Sequence, residues 1–456
     1  MDPVTIVAPA SKSQSHRMLI AAALAEGESV LANVLESDDT TRTREILSAL
    51  GAGFERKNGD IFSVRGLGGR IAGPEQGEPL DINVGESGTT CRLVLALLAV
   101  GKGRFRIHGH GRMHKRPVAE LADVLQSLGV DVRYEETEGC PPLVISTTGL
   151  DAAALPESAG GMAAIGCDQT SQYLSGLLMA APLCPEGLTI LLGGERVVSW
   201  PYVSLTLDVM ERFGISFTVE QYTDGGWKAA DWRALGAARP GELRFRVAPG
   251  RYRAGTHAVE NDWSGSSYFL AAGAVGPKPV RVRGVNRQSL QGDAAIQDLL
   301  ARMGARLEWN GDSVTAWPSA LHGIEADMGD CPDLVPTLAA VAAHAAGPTR
   351  IFGAAHLKIK ESNRIEAPAL ELRKAGCEVI MTDDGMIIVP PANGPSEPAD
   401  GVIFSSHDDH RIAMSLALLG LPGLREGNKG FAVRLDNPGC VSKSFPYYWM
   451  RWEQLL

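Results

Sequence analysis

Leu121-Ala-Asp-Val-Leu-Gln-Ser-Leu-Gly129-Val-Asp-Val is the phrase around which this chain is organised. Its apolar residues recur at helical spacing. Its glycine stands where a helix end needs a left-handed residue, and the alternation after it reads as a strand. The phrase returns as Glu45-Ile-Leu-Ser-Ala-Leu-Gly51-Ala-Gly-Phe and as Leu205-Thr-Leu-Asp-Val-Met-Glu-Arg-Phe-Gly214-Ile-Ser-Phe. It returns again as Ile296-Gln-Asp-Leu-Leu-Ala-Arg-Met-Gly304-Ala-Arg-Leu and as Leu370-Glu-Leu-Arg-Lys-Ala-Gly376-Cys-Glu-Val. A spacing of roughly 70 to 90 residues is too long for a solenoid and suits a repeated α/β subdomain. An amphipathic helix with a two-stranded ribbon buries one face only, so several copies must share a core, three to a domain. The expected fold class is α/β (α+β) in two domains, as 456 residues also suggest.

Composition narrows the function. Hydrophobic residues make up 45% and charged residues 21%, ordinary values for a globular protein. The formal net charge of −10 argues against general nucleic-acid or membrane binding, though not against small anions, which respond to local cations. Met1-Asp2-Pro3-Val4 lacks the charged and apolar regions of a signal peptide, and no apolar run reaches membrane-span length. Seven scattered cysteines, none in a CxxC, favour reduced thiols in the cytoplasm over disulfides or zinc.

Cations stand beside hydroxyls or carboxylates where apolar helices begin or end. The densest stretches are Ser11-Lys12-Ser13-Gln14-Ser15-His16-Arg17, running into the helix pattern Met18–Ala25, and Lys358-Ile359-Lys360-Glu361-Ser362-Asn363-Arg364. Helix N-termini carry unpaired N–H groups and a positive dipole end, so a Lys and an Arg there make a site for phosphate or carboxylate. A linker near Val247–Glu260 puts the two stretches in different domains and predicts a cleft that closes on a polyanionic ligand.

Weaker signals point the same way. Gly85-Glu86-Ser87-Gly88-Thr89-Thr90-Cys91-Arg92 is either a capped helix start or a backbone approach to an anion. Gly111-Arg112-Met113-His114-Lys115-Arg116-Pro117 is a solvated basic turn or a further anion site. Asp168-Gln169-Thr170-Ser171-Gln172-Tyr173 and Ser199-Trp200-Pro201-Tyr202 offer hydroxyls at helix starts beyond what capping needs. Asp333 is an ordinary N-cap or a buried base. Ser406-His407-Asp408-Asp409-His410-Arg411 suits an anion better than a metal, since no matching ligand set stands elsewhere. Walker A, strand-bound GxGxxG and GxSxG patterns are all missing.

Seven landmarks occur in order: Pro9-Ala-Ser-Lys-Ser-Gln-Ser-His-Arg17, Ser87-Gly-Thr89, Lys115-Arg-Pro117, Thr170-Ser-Gln172, Lys360-Glu-Ser-Asn-Arg364, Asp409-His-Arg411 and Lys443-Ser-Phe445. With them the chain resembles, over nearly its whole length, the 5-enolpyruvylshikimate-3-phosphate synthases. The resemblance implies an enolpyruvyl transferase-like fold of two domains, each of three βαβαββ-like units, with the active site in the interdomain cleft. It implies one domain over 11–257 on the shikimate 3-phosphate side. The discontinuous domain 1–10 plus 258–456 would take the phosphoenolpyruvate and catalytic side. The family moves the enolpyruvyl group of phosphoenolpyruvate to the 5-hydroxyl of shikimate 3-phosphate by addition and elimination, with no metal or organic cofactor. That is the sixth step of the shikimate pathway to chorismate and the aromatic amino acids.

Carried over by position, the resemblance assigns Lys12, Ser13, Arg17, Thr170, Ser171, Gln172, Ser199, Tyr202, Asp333, His356 and Lys360 to shikimate 3-phosphate. It assigns Lys12, Gly88, Arg116, Gln172, Arg364, Arg411 and Lys443 to phosphoenolpyruvate. Asp333 is the expected base for the 5-hydroxyl and Glu361 the proton donor to the methylene carbon, with Lys12 sharing the proton handling. Lys360 and Arg364 would keep Glu361 ionised, whereas loss of water and the substrates' charge push the other way. Glu86 and His356 stand where the family usually has Asn, Asn363 where Asp is commoner, and Ala10 where Gly is commoner. A carboxylate at Glu86 calls for Arg92 or Arg116 to neutralise it. Gly88 is the small residue that leaves room for glyphosate in this family, so inhibition is expected. A cytoplasmic monomer with no nucleic-acid or membrane partner completes the expectation. The alternatives are the sister transferase acting on UDP-N-acetylglucosamine, which carries a reactive loop cysteine, and a non-catalytic anion-binding paralogue.

Overall fold

A helix that ends in a left-handed glycine can turn straight into a strand, and all five phrases do so in the computed structural model, which describes residues 2–155, 161–235, 238–398, 401–425 and 428–456. The helices are Asp38–Ala49, Ala119–Ser127, Trp200–Arg212, Ile296–Arg302 and Glu366–Lys374. Gly51, Gly129, Gly214, Gly304 and Gly376 follow them at φ between 77° and 105°, a region that only glycine enters freely. Each then gives antiparallel strands, for example Asp131–Tyr134 with Leu143–Thr147, in the register Val132↔Ile145.

The stretch 80–147 shows the unit in full. Strand Leu80–Asn83 leads through helix Gly88–Ala99 to strand Gly103–His108, which lies parallel to it with Leu80 opposite Phe105. Helix Ala119–Ser127 follows, and the closing hairpin joins Gly103–His108 antiparallel through Leu143–Thr147. Parallel pairing needs a crossover and antiparallel pairing a tight turn, so this βαβαββ order yields one mixed sheet from local connections.

The chain divides into two compact units, one of Lys12–Val259 and one of Met1–Ser11 with Glu260–Leu456. In the first, three sheets are built on the strand pairs Glu28–Ala32 with Thr256–Ala258, Leu80–Asn83 with Gly103–His108, and Ala163–Cys167 with Leu188–Val197. In the second, the extreme N-terminus supplies Val4–Val7, parallel to Val280–Arg283, and Glu325–Asp327 runs parallel to Thr349–Phe352. Its third segment, after Val389, shows among the described residues a lone parallel bridge from Phe404 to Leu435 in place of a ladder.

Each unit has helices buried on nearly every side. All residues of Trp263–Val275 are buried in the second unit. Phe269 on that helix stacks among Phe445, Tyr448 and Trp452, with ring centroids 5.6 to 6.2 Å apart. The cluster anchors the segment that carries Lys443. In the first unit, helices Lys12–Leu24, Gly88–Ala99 and Gln172–Ala180 are buried almost throughout. Among the described residues no helix is long and apolar enough to cross a membrane.

Candidate active site

In the unit of Lys12–Val259, most of the polar motifs stand at or just before the first turns of buried helices. The first motif lies within Lys12–Leu24, which starts at the lysine itself. Lys12 Nζ pairs with Asp39 Oδ2 at 3.0 Å, at the start of helix Asp38–Ala49. Arg17 is buried at 1% exposure. It makes four hydrogen bonds to protein: Nε to Thr206 Oγ1 at 2.7 Å, Nη1 to the Ser13 carbonyl at 2.9 Å, and Nη2 to Ser175 Oγ at 3.2 Å and the Tyr202 carbonyl at 3.0 Å. Burial pushes the guanidinium down to about 10. These bonds use four of its five N–H groups.

Ser199 precedes helix Trp200–Arg212 at φ 59° and ψ 37° and makes no capping bond. A non-glycine residue held there stores on the order of 1–3 kcal/mol, as residues at functional sites often do. Ser171 likewise spends no side chain on capping Gln172–Ala180. Gln172 Nε2 donates to Thr89 Oγ1 at 2.9 Å, and its Oε1 accepts from Arg92 Nη1 at 2.9 Å, so the second and third sheets' helix starts are joined. Gly88 opens its helix directly under Arg116, whose guanidinium a Cβ at Gly88 would strike. Arg92 is turned away from Glu86, giving its other bonds to the Pro117 carbonyl. Arg116 Nη1 donates to the Glu86 backbone carbonyl at 3.3 Å, and the Glu86 carboxylate packs against Gly111.

In the other unit, Asp333 sits in a short 3-10 turn, Pro332–Leu334, whose N-cap position is Cys331. Its carboxylate accepts from Arg364 Nη1 at 2.8 Å and Arg411 Nη2 at 2.6 Å. Burial by itself would raise its pKa, but Arg411, Arg364 and Lys360 together outweigh that and hold Asp333 well below the usual carboxylate range. Arg364, 2% exposed, also meets Asp409 through Nε at 2.7 Å and Glu361 through Nη2 at 2.9 Å. Burial lowers the Arg364 pKa, but Asp409, Glu361 and Asp333 more than compensate and raise it. Left-handed His407 and Asp408, both at φ 53°, carry the chain into helix His410–Leu416, where Asp409 caps the Arg411 N–H. His356 is buried in the 3-10 turn Ala355–Ile359, and Lys443 closes the turn Pro438–Lys443. Among the described residues no three His, Cys, Asp or Glu converge as metal ligands.

Several partners were not apparent from sequence. Asp39 and Asp409 hold Lys12 and Arg364, and Asp293, buried at 3% exposure, bonds Ser264 with its other oxygen unpartnered. Acidic residues in a first helix turn hint at Asp39, and the adjoining arginine at Asp409; nothing local marks Asp293. All seven cysteines are free, and Cys91, inside helix Gly88–Ala99, is fully buried with its thiol pushed up to about 11.

Residues 4–452 match the family model of EPSP synthase (3-phosphoshikimate 1-carboxyvinyltransferase). The chain belongs to the EPSP synthase family. The 3-phosphoshikimate 1-carboxyvinyltransferase of Shewanella amazonensis is 38% identical over 98% of this chain and 95% of its own. That of Paraburkholderia phytofirmans is 39% identical over 99% and 96%. Among solved structures, EPSP synthase from Acinetobacter baumannii aligns with a TM-score of 0.70 at 23% identity, covering 99% of this chain and 95% of that one. The enolpyruvyl transferase NikO from Streptomyces tendae aligns with a TM-score of 0.71 at 20% identity, covering 100% and 94%. These two likenesses establish the fold, an enolpyruvyl transferase-like α/β architecture, and family membership makes the chain a transferase of the EPSP synthase type.

Proposed function

We propose that this chain transfers the enolpyruvyl group of phosphoenolpyruvate to the 5-hydroxyl of shikimate 3-phosphate, releasing phosphate, in the shikimate pathway. Family membership over almost the whole chain supports the reaction. The single structural observation that carries it is the Asp333 carboxylate held between Arg364 and Arg411, with Glu361 on the same Arg364.

Lys12, Ser13, Arg17, Thr170, Ser171, Gln172, Ser199, Tyr202, Asp333, His356 and Lys360 take shikimate 3-phosphate. Lys12, Gly88, Arg116, Gln172, Arg364, Arg411 and Lys443 take phosphoenolpyruvate. Bringing two phosphates and two carboxylates together needs many cations against their repulsion. Asp333 removes the 5-hydroxyl proton as that oxygen attacks the enol carbon, and Glu361 protonates the methylene carbon. Elimination then takes a proton back from the new methyl group as the C–O bond to phosphate breaks, which re-forms the carbon–carbon double bond of the enol ether and releases phosphate. An Asp333 clamped by two arginines is a weak base. When phosphoenolpyruvate draws Arg364 and Arg411 to itself, Asp333 loses the partners that depress it and becomes a stronger one. The same reading makes glyphosate an inhibitor and the protein a cytoplasmic monomer. Cys91 is no candidate for the reactive cysteine of the sister transferase.

Phosphate release from phosphoenolpyruvate, measured with and without shikimate 3-phosphate and in EDTA, tests the proposal. Release that needs both substrates and ignores EDTA supports it. Release without shikimate 3-phosphate, or none at all, defeats it.

A further inference from the structure

One buried feature of the Lys12–Val259 unit has no place in that chemistry. His16 Nδ1 lies 2.8 Å from Thr43 Oγ1, Thr43 Oγ1 lies 2.7 Å from Thr90 Oγ1, and Thr90 donates to Ser87 Oγ at 2.8 Å. All four residues are at most 1% exposed, and the His16 ring is fully shielded. The row starts one helical turn beyond Lys12 and ends at Ser87, the N-cap of the helix that begins with Gly88. It therefore runs from one proposed anion site to the other through the core.

The two helices Lys12–Leu24 and Asp38–Ala49 meet in two rungs, Lys12 with Asp39 and His16 with Thr43, each four residues apart. Thr90 Oγ1 also approaches the Asp39 carbonyl at 3.4 Å. The polarity of the row follows from its far end. Because Thr90 gives its single proton to Ser87, it accepts from Thr43, and Thr43 accepts in turn from His16 Nδ1–H. His16 Nε2 is then a bare lone pair, in keeping with its lack of any hydrogen-bond partner. Ser87, which also accepts from the Thr90 backbone N–H, keeps its own hydroxyl proton for donation. A neutral imidazole suits this arrangement, since burial pushes His16 down to about 3. Isolated polar groups in an apolar core cost free energy, so three aligned hydroxyls and an imidazole with no catalytic part invite a positional role.

We infer that the His16–Thr43–Thr90–Ser87 row is a positioning relay that couples the anion site at Lys12 to the anion site at Gly88, so that filling one prearranges the other. An anion that draws Lys12 away from Asp39 loosens one rung between the two helices, and the second rung transmits the adjustment through Thr43 and Thr90 to the cap of the Gly88 helix. The inference rests on the proposed use of these two helix starts by shikimate 3-phosphate and phosphoenolpyruvate.

The test uses the full-length enzyme. The apparent KM for phosphoenolpyruvate is measured from low to saturating shikimate 3-phosphate, which gives the factor by which one substrate strengthens the other. The wild type should show a factor of about fivefold or more, the usual lower range of such coupling. Thr43→Val, which keeps the shape and removes the hydroxyl, should bring the factor close to one while kcat stays within about twofold. Thr43→Ser should retain the wild-type factor. If Thr43→Val does not fold, His16→Asn with the same readout decides. A wild-type factor of one, or a factor untouched in Thr43→Val, overturns the relay, as does an equal loss of kcat and both affinities with a lowered Tm. Failure of the wild type to release phosphate defeats the proposed function instead.

Discussion

Asp333 Oδ2 stands 2.6 Å from Arg411 Nη2. The proposed base therefore begins paired with a residue proposed to hold phosphoenolpyruvate, and with Arg364 beside it. The candidate site is a set of internal ion pairs. Under the proposed function an incoming anion rearranges them, and the strength of the base then depends on the ligand.

Asp333→Asn follows directly. Turnover should fall by about 100-fold to 10,000-fold, the usual weight of general base catalysis. Binding of phosphoenolpyruvate should be unchanged or tighter, because Arg364 and Arg411 lose a competing carboxylate. Rapid-quench turnover with equilibrium titration separates the two effects, and weaker binding in the variant would count against the rearrangement.

Asp293 gives a pH signature. Burial first and the nearby Asp333 charge second, partly opposed by Arg411 and Ser264, raise its carboxyl from 3.8 to about 7. Folded protein thus keeps a proton there that unfolded protein releases, so its contribution weakens stability as pH climbs from about 4 to about 7 and is constant above. Asp293→Asn removes that dependence. The Tm difference, variant minus wild type, should grow with pH across this window; a flat difference refutes the buried neutral carboxyl.

Arg17→Ala should cost more than affinity. Loss of its bonds to Thr206, Ser13, Ser175 and Tyr202 leaves buried groups unmatched, worth about 1–3 kcal/mol each at most. The urea midpoint should drop clearly, and shikimate 3-phosphate should bind more weakly. An unchanged midpoint would mean that the guanidinium serves the ligand alone.

Gly88→Ala puts a methyl group where the Arg116 guanidinium lies. Displacing a charge-assisted hydrogen bond should raise the KM for phosphoenolpyruvate roughly tenfold to a hundredfold with a smaller change in kcat. Inhibition of the wild type by glyphosate should weaken in the variant by at least the same factor. Equal KM values would show that Arg116 does not touch the substrate.

By itself the sequence determined the repeat. Local rules decide a helix, its glycine cap and the hairpin after it, so Gly51, Gly129, Gly214, Gly304 and Gly376 could be placed without coordinates. It also determined which short motifs carry charge, because side-chain chemistry is written in residue type. It did not determine which partner each charge takes. That Arg17 is spent largely on Thr206 and Ser175, that Arg92 faces Gln172 rather than Glu86, and that Asp333 is a clamped carboxylate and not a cap were decided by packing. The physical reason is distance along the chain. Arg17 and Thr206 are 189 residues apart, and Arg411 and Asp333 are 78 apart. No local preference spans such gaps; only the burial of helices against shared sheets brings those groups within hydrogen-bonding reach.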